Sequence, residues 1–148
     1  MAPAFPLSVS LLTSIGVQIA CQAFKVVLYS VRERRPAFSW FISAGGMPSA
    51  HSAFVTALSV SVGLWSGFAS DVFAVSCVFS VIIIYDSWRL RGAVQHHAKA
   101  LAKISRANRG LKLGPLNENI GHSIPEIAAG IVAGGALAAA VYFVIRWV

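Results

Sequence analysis

Long stretches of apolar residues, separated by shorter polar segments, are the main pattern along the chain. A helix needs about 20 mostly apolar residues to cross a bilayer. One stretch runs from Leu7 to Phe24 and ends at Lys25, and Ser52–Ser70 carries no charge and many small residues that suit close helix packing. Ile127–Ile145 is also uncharged. Each of these three stretches therefore predicts a membrane-spanning helix.

A further apolar run, Val72–Tyr85, holds only 14 residues and is too short to cross a bilayer alone. We therefore expect its helix to continue through Asp86 to about Leu90, which places that carboxylate inside the helix bundle. Gly67 and Asp71 mark a very short turn before it. The whole pattern predicts four helices, at about 7–24, 52–70, 72–90 and 125–145.

The composition agrees with a membrane protein. Of the 148 residues, 57% are hydrophobic and 11% are charged, and the mean hydropathy is +0.72, which is far from the composition of soluble domains. Cys21 and Cys77 lie inside apolar stretches, so they indicate neither a disulfide nor a cysteine metal site. The expected fold is all-α, with one integral membrane domain over residues 1–148 built as a polytopic four-helix bundle.

The basic residues are distributed unevenly between the two sides of this bundle. Eleven of the twelve Lys and Arg residues lie in the connections after the first and third helices, and the turn between the second and third helices has none. Because basic loops stay in the cytoplasm, we expect both connections there and both termini outside, in a bacterial inner membrane. This bias explains the formal charge of +7, so nucleic acid is not an expected partner.

The connection after the third helix has a helical pattern of its own between Gly92 and Gly110. It predicts a cytoplasmic amphipathic helix, which is either a solvated charged face or an anchor on anionic lipid. His96 and His97 belong to it, but neighbouring residues on a helix point about 100° apart, so they form a poor metal pair. The apolar positions are Val94, Ala98, Leu101 and Ile104, and the basic ones are Lys99, Lys103, Arg106 and Arg109.

The sequence Gly-Gly-Met-Pro-Ser-Ala-His at 45–51 stands where a polar loop enters the second helix. Gly46 permits close backbone approach, and free amides at a helix N-terminus bind anions. Ser49 offers a hydroxyl group, and His51 can donate a proton. All of these features suit a phosphate group. The alternative is an ordinary turn in which Ser49 only caps the helix.

A second loop-to-helix junction, at 121–126, lies on the same side of the membrane as the first. A neutral His122 can attack phosphorus if a carboxylate fixes its tautomer, and Glu126 stands four residues later. The alternative is structural, because Ser123 and Glu126, with Pro125 in the first turn, also form a good capping box. In either case, two histidines are expected at one membrane surface.

Two cations stand where the first helix leaves the bilayer. They are Lys25 and Arg32, with six residues between them. Both could bind phosphate oxygens at the same surface as the histidines. Their alternative role is that of anchors whose charged ends reach the lipid headgroups.

Together these motifs resemble the type 2 phosphatidic acid phosphatases, whose pattern is Lys-x6-Arg-Pro, then Pro-Ser-Gly-His, then Ser-Arg-x5-His-x3-Asp. The matching positions are Lys25-x6-Arg32, Pro48-Ser49-Ala50-His51 and His122-x3-Glu126. The departures are Glu33, Ala50 and Glu126 and, most seriously, Pro115 and Leu116 in place of the Ser-Arg pair.

The chain is more similar to the divergent bacterial and plant branch of that family. This branch has a Gly-Gly-Met-Pro-Ser-x-His loop, a Tyr-Asp-x4-Arg segment and a Gly-His-x3-Glu junction. Tyr85, Asp86 and Arg91 match the middle element, and the similarity runs from about Lys25 to Gly130. Arg91 is then the expected replacement for the missing arginine.

The resemblance implies a phosphatase in which His122 is the nucleophile, Glu126 orients it and His51 protonates the leaving alkoxide. Asp86 would pair with Arg91 or Lys25. Neither a metal nor another cofactor is implied, because cations and amides can stabilise the charge on the phosphoryl oxygens. The groups implied to hold those oxygens are Lys25, Arg32, Gly46, Ser49 and Arg91.

The partner expected from this resemblance is a lipid phosphate in the bilayer. Phosphatidylglycerophosphate, phosphatidic acid and isoprenoid phosphates or diphosphates all fit. A noncatalytic lipid-binding or assembly module is the alternative that the missing Ser-Arg pair supports. A transporter or channel is a third class, although the charges gather at one end of the bundle. A unit this small could also form a homodimer through its Gly/Ala faces.

Overall fold

The computed structural model describes residues 8–108, 111, 113–116 and 118–148, and over this part of the chain it contains helices and no strands. The all-α fold predicted from the sequence is thereby confirmed. The helices are α1 (Val9–Glu33), α2 (Ala50–Ser66), α3 (Asp71–Tyr85), α4 (Arg91–Ala107) and α5 (Ile124–Trp147), with a 3-10 turn at Phe38–Phe41 and a π-turn at Asp86–Leu90.

Helix α1 is longer than predicted. It continues through Lys25 to Glu33, and Arg34 ends it in the left-handed conformation, with a φ of 53°. The sequence placed the end at Phe24 because a lysine usually marks the bilayer surface, but Lys25 is wholly buried within the bundle. The predicted start at Leu7 lies outside the described residues.

Helix α2 is shifted and shortened relative to its prediction. It begins at Ala50, where Ser49 caps it by accepting a hydrogen bond from the amide of Ser52. It ends at Ser66 because Gly67 takes a φ of 92°, which is not helical. The helix has 17 residues, so it is about 26 Å long at the usual rise.

The third predicted helix and the predicted amphipathic helix form one continuous run. Helix α3 passes through the π-turn directly into α4. The amphipathic helix is therefore present over Arg91–Ala107, but it continues a spanning helix instead of following a loop. Arg109, Gly110 and Lys112, which the sequence assigned to the same basic segment, lie outside the described residues.

Helix α2 is the central helix, and α1, α3 and α5 pack around it. Small residues make this close packing possible, because Ala53 of α2 is completely buried and Gly130 and Gly134 of α5 lie directly against the α2 backbone. The hydroxyls of Ser59 on α2 and Ser80 on α3 are hydrogen-bonded at 2.8 Å. The bundle interior is thus rich in alanine, glycine and serine.

The outer surface of the bundle is apolar, as a lipid environment requires. Val75, Phe79 and Ile82 of α3 are all exposed. Among the described residues, α1, the run Asp71–Ala107 and α5 are each long and apolar enough to cross a membrane. Helix α2 is shorter and is enclosed by the others. The prediction of a helical membrane bundle is confirmed.

A candidate active site around two histidines

His122 lies in the loop before α5, and that loop is held against the π-turn and α4. The His122 amide donates a hydrogen bond to the carbonyl of Ser87 (3.3 Å). The amide of Gly121 donates to the side-chain oxygen of Gln95 (2.9 Å). Gly121 also packs so closely on Gly92 that a Cβ there would lie 2.8 Å from the Gly92 Cα atom. These contacts fix the position of His122.

Glu126 makes the contacts that both of the roles considered for it require. Its Oε2 accepts a hydrogen bond from the amide of Ser123 (3.0 Å), as in a capping box, and the same atom lies 3.2 Å from Nδ1 of His122. An ionised carboxylate can only accept hydrogen bonds, so Nδ1 carries the proton and Nε2 keeps its lone pair. Nε2 is buried, and no described residue forms a hydrogen bond with it.

The surroundings of His122 favour the neutral ring. Burial lowers the pKa of His122 below its ordinary value. The hydrogen bond with Glu126 acts in the opposite direction and raises this pKa, whereas the positive charges of Lys25 and Arg91 lower it. A neutral imidazole with Nδ1 protonated is the form that can act as a nucleophile through Nε2.

His51 stands in the first turn of α2, beside His122. The ring centroids are 6.2 Å apart and the ring planes are inclined by 61°. Within the described part of the chain, Nδ1 of His51 and Oγ of Ser87 are also buried without a hydrogen-bond partner. Several unpaired polar atoms in one buried place cost free energy unless a ligand or water satisfies them.

Ser49 is fully buried and caps α2. Its hydroxyl oxygen accepts hydrogen bonds from the amide (3.3 Å) and the hydroxyl (3.0 Å) of Ser52. The Ser49 amide donates to the carbonyl of Glu126 (2.9 Å), which joins the two histidine loops. The capping role considered from the sequence is present, and the hydroxyl keeps its own proton for one further hydrogen bond.

The two cations of α1 are placed very differently. Lys25 is completely buried, and its Nζ donates to the carbonyl of Gly45 (2.9 Å), so it is an internal residue and not a surface anchor. Its charge acts on both histidine rings. Arg32 is exposed, with its guanidinium carbon 5.7 Å from the centroid of the Tyr29 ring. The structure groups Lys25 with the histidines and leaves Arg32 at the rim.

Arg91 follows the π-turn and is brought to the site by it. Its Nε donates to Oδ2 of Asp86 at 2.8 Å, which is one of the two pairings predicted for that carboxylate. A π-turn places residues five apart on the same side of the helix. The charge of Arg91 acts on both histidine rings. The backbone of Arg91 lies beside the His122 loop, because a Cβ at Gly121 would come 3.1 Å from the Arg91 carbonyl carbon, and the Arg91 side chain is 41% exposed.

A polar cleft of about 210 Å³ opens beside Glu126. Gly46 lines it with a φ of 90°, and a Cβ there would lie 2.9 Å from the Trp40 ring, so the position requires glycine. The rings of Tyr29 and Trp40 stack with centroids 3.6 Å apart and form one wall. The other lining residues are Gly45, Gln95, Asn119, Gly121 and Ser123.

Some residues that shape the site were not predicted from the sequence. Ser87 and Gln95 hold the His122 loop, and Tyr29 lines the cleft. Tyr29 had a detectable signal, because it stands four residues after Lys25 on the same face of α1. Gln95 had none, because its partner, Gly121, is 26 residues away along the chain.

The functional groups gathered here are imidazoles, cations, amides and a carboxylate. Such a set can attack an electrophile, move protons and bind an anion. Phosphate oxygens in particular accept strong hydrogen bonds from cations and amides. Among the described residues, no group of three His, Cys, Asp or Glu side chains is arranged to hold a metal ion.

Comparisons with known proteins bear on this site. The divergent PAP2 family matches residues 7–137 of the chain. Over 138 residues the chain is 34% identical to the uncharacterized membrane protein YuiD of Bacillus subtilis (strain 168), and this match covers 84% of the chain and 87% of that relative. No solved structure matches the chain.

Proposed function

The chain belongs to the divergent PAP2 family and is an integral membrane protein. We propose that it is a phosphatase that hydrolyses a lipid phosphate through a phosphohistidine intermediate. One observation carries the proposal. His122 is buried and oriented by Glu126 at 3.2 Å, its Nε2 has no partner in the described chain, and the ring of His51 stands 6.2 Å away between centroids. This arrangement supports a nucleophile paired with a proton donor.

The reaction would proceed in two steps. In the first, Nε2 of His122 attacks phosphorus, and the bond from phosphorus to the lipid oxygen breaks as the nitrogen–phosphorus bond forms. His51 gives a proton to the departing oxygen, so the lipid leaves as an alcohol. In the second, water attacks the phosphohistidine and loses a proton to His51, and inorganic phosphate leaves as His122 is restored.

Positive charge and hydrogen-bond donors would hold the phosphoryl oxygens during both steps. Lys25 and Arg91 supply the charge, and the Gly46 amide and the Ser49 hydroxyl supply donors. We assign to Arg91 the role of the arginine that Leu116 replaces, with Asp86 keeping its guanidinium group in place. Arg32, at the rim, would attract the anionic headgroup instead of binding the reacting phosphate.

The proposal includes a location. Eleven of the twelve Lys and Arg residues lie in the connections after the first and third predicted helices. By the positive-inside rule, the site would face the cytoplasm and both termini would lie outside, as in a bacterial inner membrane. The substrate would then come from the cytoplasmic leaflet.

A noncatalytic lipid-binding module is the second candidate. Pro115 and Leu116 favour it, because they stand where catalytic relatives of the type 2 phosphatidic acid phosphatases carry Ser and Arg. Such a module would bind a lipid phosphate at the same cations without releasing phosphate. Binding and phosphate release therefore have to be measured together.

The deciding experiment is phosphate release by the purified protein, with EDTA present, from phosphatidylglycerophosphate, phosphatidic acid, and an isoprenoid phosphate and diphosphate. We expect release from at least one of them. His97→Ala is the control, because His97 is exposed on α4, and it should leave the rate unchanged. Binding of these lipids without release from any would overturn the phosphatase and favour the noncatalytic module.

A further inference from the structure

An apolar groove runs along the outside of the bundle between α1 and α5. Both helices pack extensively on α2 but far less on each other. Gly16 and Ala20 of α1 and Ala133 of α5 are too small to fill the space between them. A cavity of about 380 Å³ and a second of about 300 Å³ lie along this line, and they share Ala20 and Leu137, so they are two parts of one groove.

The groove ends at the candidate active site. Val9 and Ile145 line its far end, and Phe24 and Pro48 line its near end. Phe24 directly precedes the buried Lys25, and Pro48 directly precedes Ser49. The near end of the groove therefore lies next to the segments that carry two phosphate-binding groups of the proposed phosphatase, Lys25 and Ser49.

The length of the groove suits a hydrocarbon chain. Val9 and Phe24 are 15 positions apart, which is about 22 Å along a helix. Half of the hydrocarbon core of a bilayer is about 15 Å thick. A hydrocarbon chain whose headgroup lies at the near end of the groove can therefore stay inside the groove through the full thickness of one leaflet.

The apolar character of the lining determines what the groove can contribute to lipid binding. Among the described residues, the lining is almost wholly apolar, and Thr13 is the one lining residue with a hydroxyl group. A hydrocarbon chain gains little by moving from lipid into such a groove, because the bilayer is equally apolar. Binding therefore depends on the charged head, and the groove determines where the chain lies and how the head is presented.

Resting on the proposed function, we infer that this groove holds one hydrocarbon chain of the lipid phosphate and directs its phosphate group to His122. The occupant is thus a long-chain lipid phosphate, with its anionic head near Lys25 and its chain between α1 and α5. A soluble phosphate ester lacks that chain, so its hydrolysis does not depend on the groove.

Gly16 offers a clean test of this assignment. Among the described residues, no atom outside the local backbone of α1 lies within 4 Å of a Cβ built at Gly16, so a large side chain there fills the groove without displacing the bundle. Gly16→Phe should lower kcat/KM for a long-chain lipid phosphate by about tenfold or more and leave that for p-nitrophenyl phosphate unchanged. Ala74→Phe is the control, because Ala74 is exposed on α3 and lines neither cavity. Unchanged lipid hydrolysis by Gly16→Phe would overturn the assignment.

A binding experiment separates this inference from the catalytic proposal. The wild-type protein in nanodiscs is irradiated with a single-chain alkyl phosphate that carries a diazirine at mid-chain. We expect adducts on groove residues such as Val17 and Leu137, which Gly16→Phe abolishes and Ala74→Phe retains. The same chain with a neutral alcohol head should label the groove much less.

Each other outcome of the labelling has a definite meaning. Equal labelling of the groove by the neutral probe would show that ordinary bilayer lipid occupies it. No labelling of the groove by either probe would indicate that a second copy of the protein covers it. Either result overturns the assignment. Phosphate-dependent labelling without hydrolysis of any substrate would retain the groove assignment and reject the phosphatase.

Discussion

At the scale of single residues, one oxygen atom of Glu126 contacts both the start of α5 and the ring of His122. Its Oε2 accepts from the Ser123 amide at the start of α5 and from Nδ1 of His122. A helix cap contributes about 0.5–2 kcal/mol to stability. The two interpretations of Glu126 that the sequence left open are therefore compatible in geometry, because one carboxylate oxygen makes both the helix-capping contact and the contact to the histidine.

The pH dependence of turnover should report this contact. The hydrogen bond with Glu126 raises the pKa of His122, so Glu126→Gln should lower that pKa. Because the neutral ring is the nucleophile, activity falls as pH drops through this pKa, and the acid limb of kcat/KM should move to lower pH in the variant. We also expect the rate at neutral pH to fall by about 10²–10⁴-fold, since the tautomer is no longer held by a charge.

Glu118→Gln is the matched control for that profile. Glu118 pairs at 3.0 Å with Arg106, which is exposed near the end of α4. This variant should keep both the rate and the acid limb of the unchanged protein. An acid limb and a rate that are the same in all three proteins would show that Glu126 is a helix cap and nothing more.

Replacing each histidine should have a different effect if their roles differ. His122→Ala removes the nucleophile, and we expect turnover to fall by about 10⁴-fold or more, together with loss of any trapped acid-labile phosphoenzyme. His51→Ala removes the proton donor, so it should slow a lipid alkoxide leaving group much more than an activated aryl one. The measurement is kcat/KM for both substrate types. A His122→Ala protein with nearly full lipid phosphatase activity would contradict the mechanism.

At the scale of helices, the packing of α5 on α2 brings the two histidine loops together. Gly130 lies against the carbonyl of Ser49, and Gly134 lies against the backbone of Ala53 one turn further on. The absence of side chains at these two positions lets the backbones approach. The start of α5, which follows His122, is thereby held next to the start of α2, which carries His51.

Stability should depend sharply on these glycines. A Cβ at Gly134 would lie 2.8 Å from the Ala53 Cα atom, whereas one at Gly135 would come no closer than 3.9 Å to its neighbours. Gly134→Ala should therefore destabilise the protein by about 1–3 kcal/mol through overpacking, and Gly135→Ala should not. The midpoint of thermal unfolding in detergent measures the difference. Equal midpoints for the two variants would show that this helix contact is looser than described.

At the scale of the whole molecule, the basic residues gather at one end of the bundle. The site lies at the basic end, together with Lys25 and Arg91. The exposed residues between α2 and α3 belong to the opposite end and carry no basic side chain. Orientation in the membrane therefore decides which leaflet supplies the substrate.

Cysteine labelling should report this orientation. In a variant without Cys21 and Cys77, Arg35→Cys and Arg106→Cys should react with an impermeant maleimide only after the cells are permeabilised. Ala69→Cys, in the exposed turn after α2, should react in intact cells. The reverse pattern would place the site outside and remove the cytoplasmic substrate from the proposal.

Much of the fold was predictable because its signals are local. Apolar runs gave the helices to within a few residues at most ends, and cap residues marked where α2 and α5 begin. The close grouping of His51 with His122, and the pairing of Asp86 with Arg91, follow from motifs that lie at the ends of these helices. Helix formation and capping depend on neighbours within one turn, so a single sequence carries them.

The sequence by itself determined the all-helical membrane fold and the candidate residues of the proposed site, while the tertiary structure decided their environment. Lys25 looked like the end of a helix, but it is an internal cation because the Gly45 carbonyl, 20 residues away, accepts its hydrogen bond. The fusion of α3 with α4, the position of Arg32 at the rim and the groove beside α1 were likewise not predicted. Each depends on contacts between distant segments, and the burial of a charge or the space between two helices is set by those contacts and not by local sequence pattern.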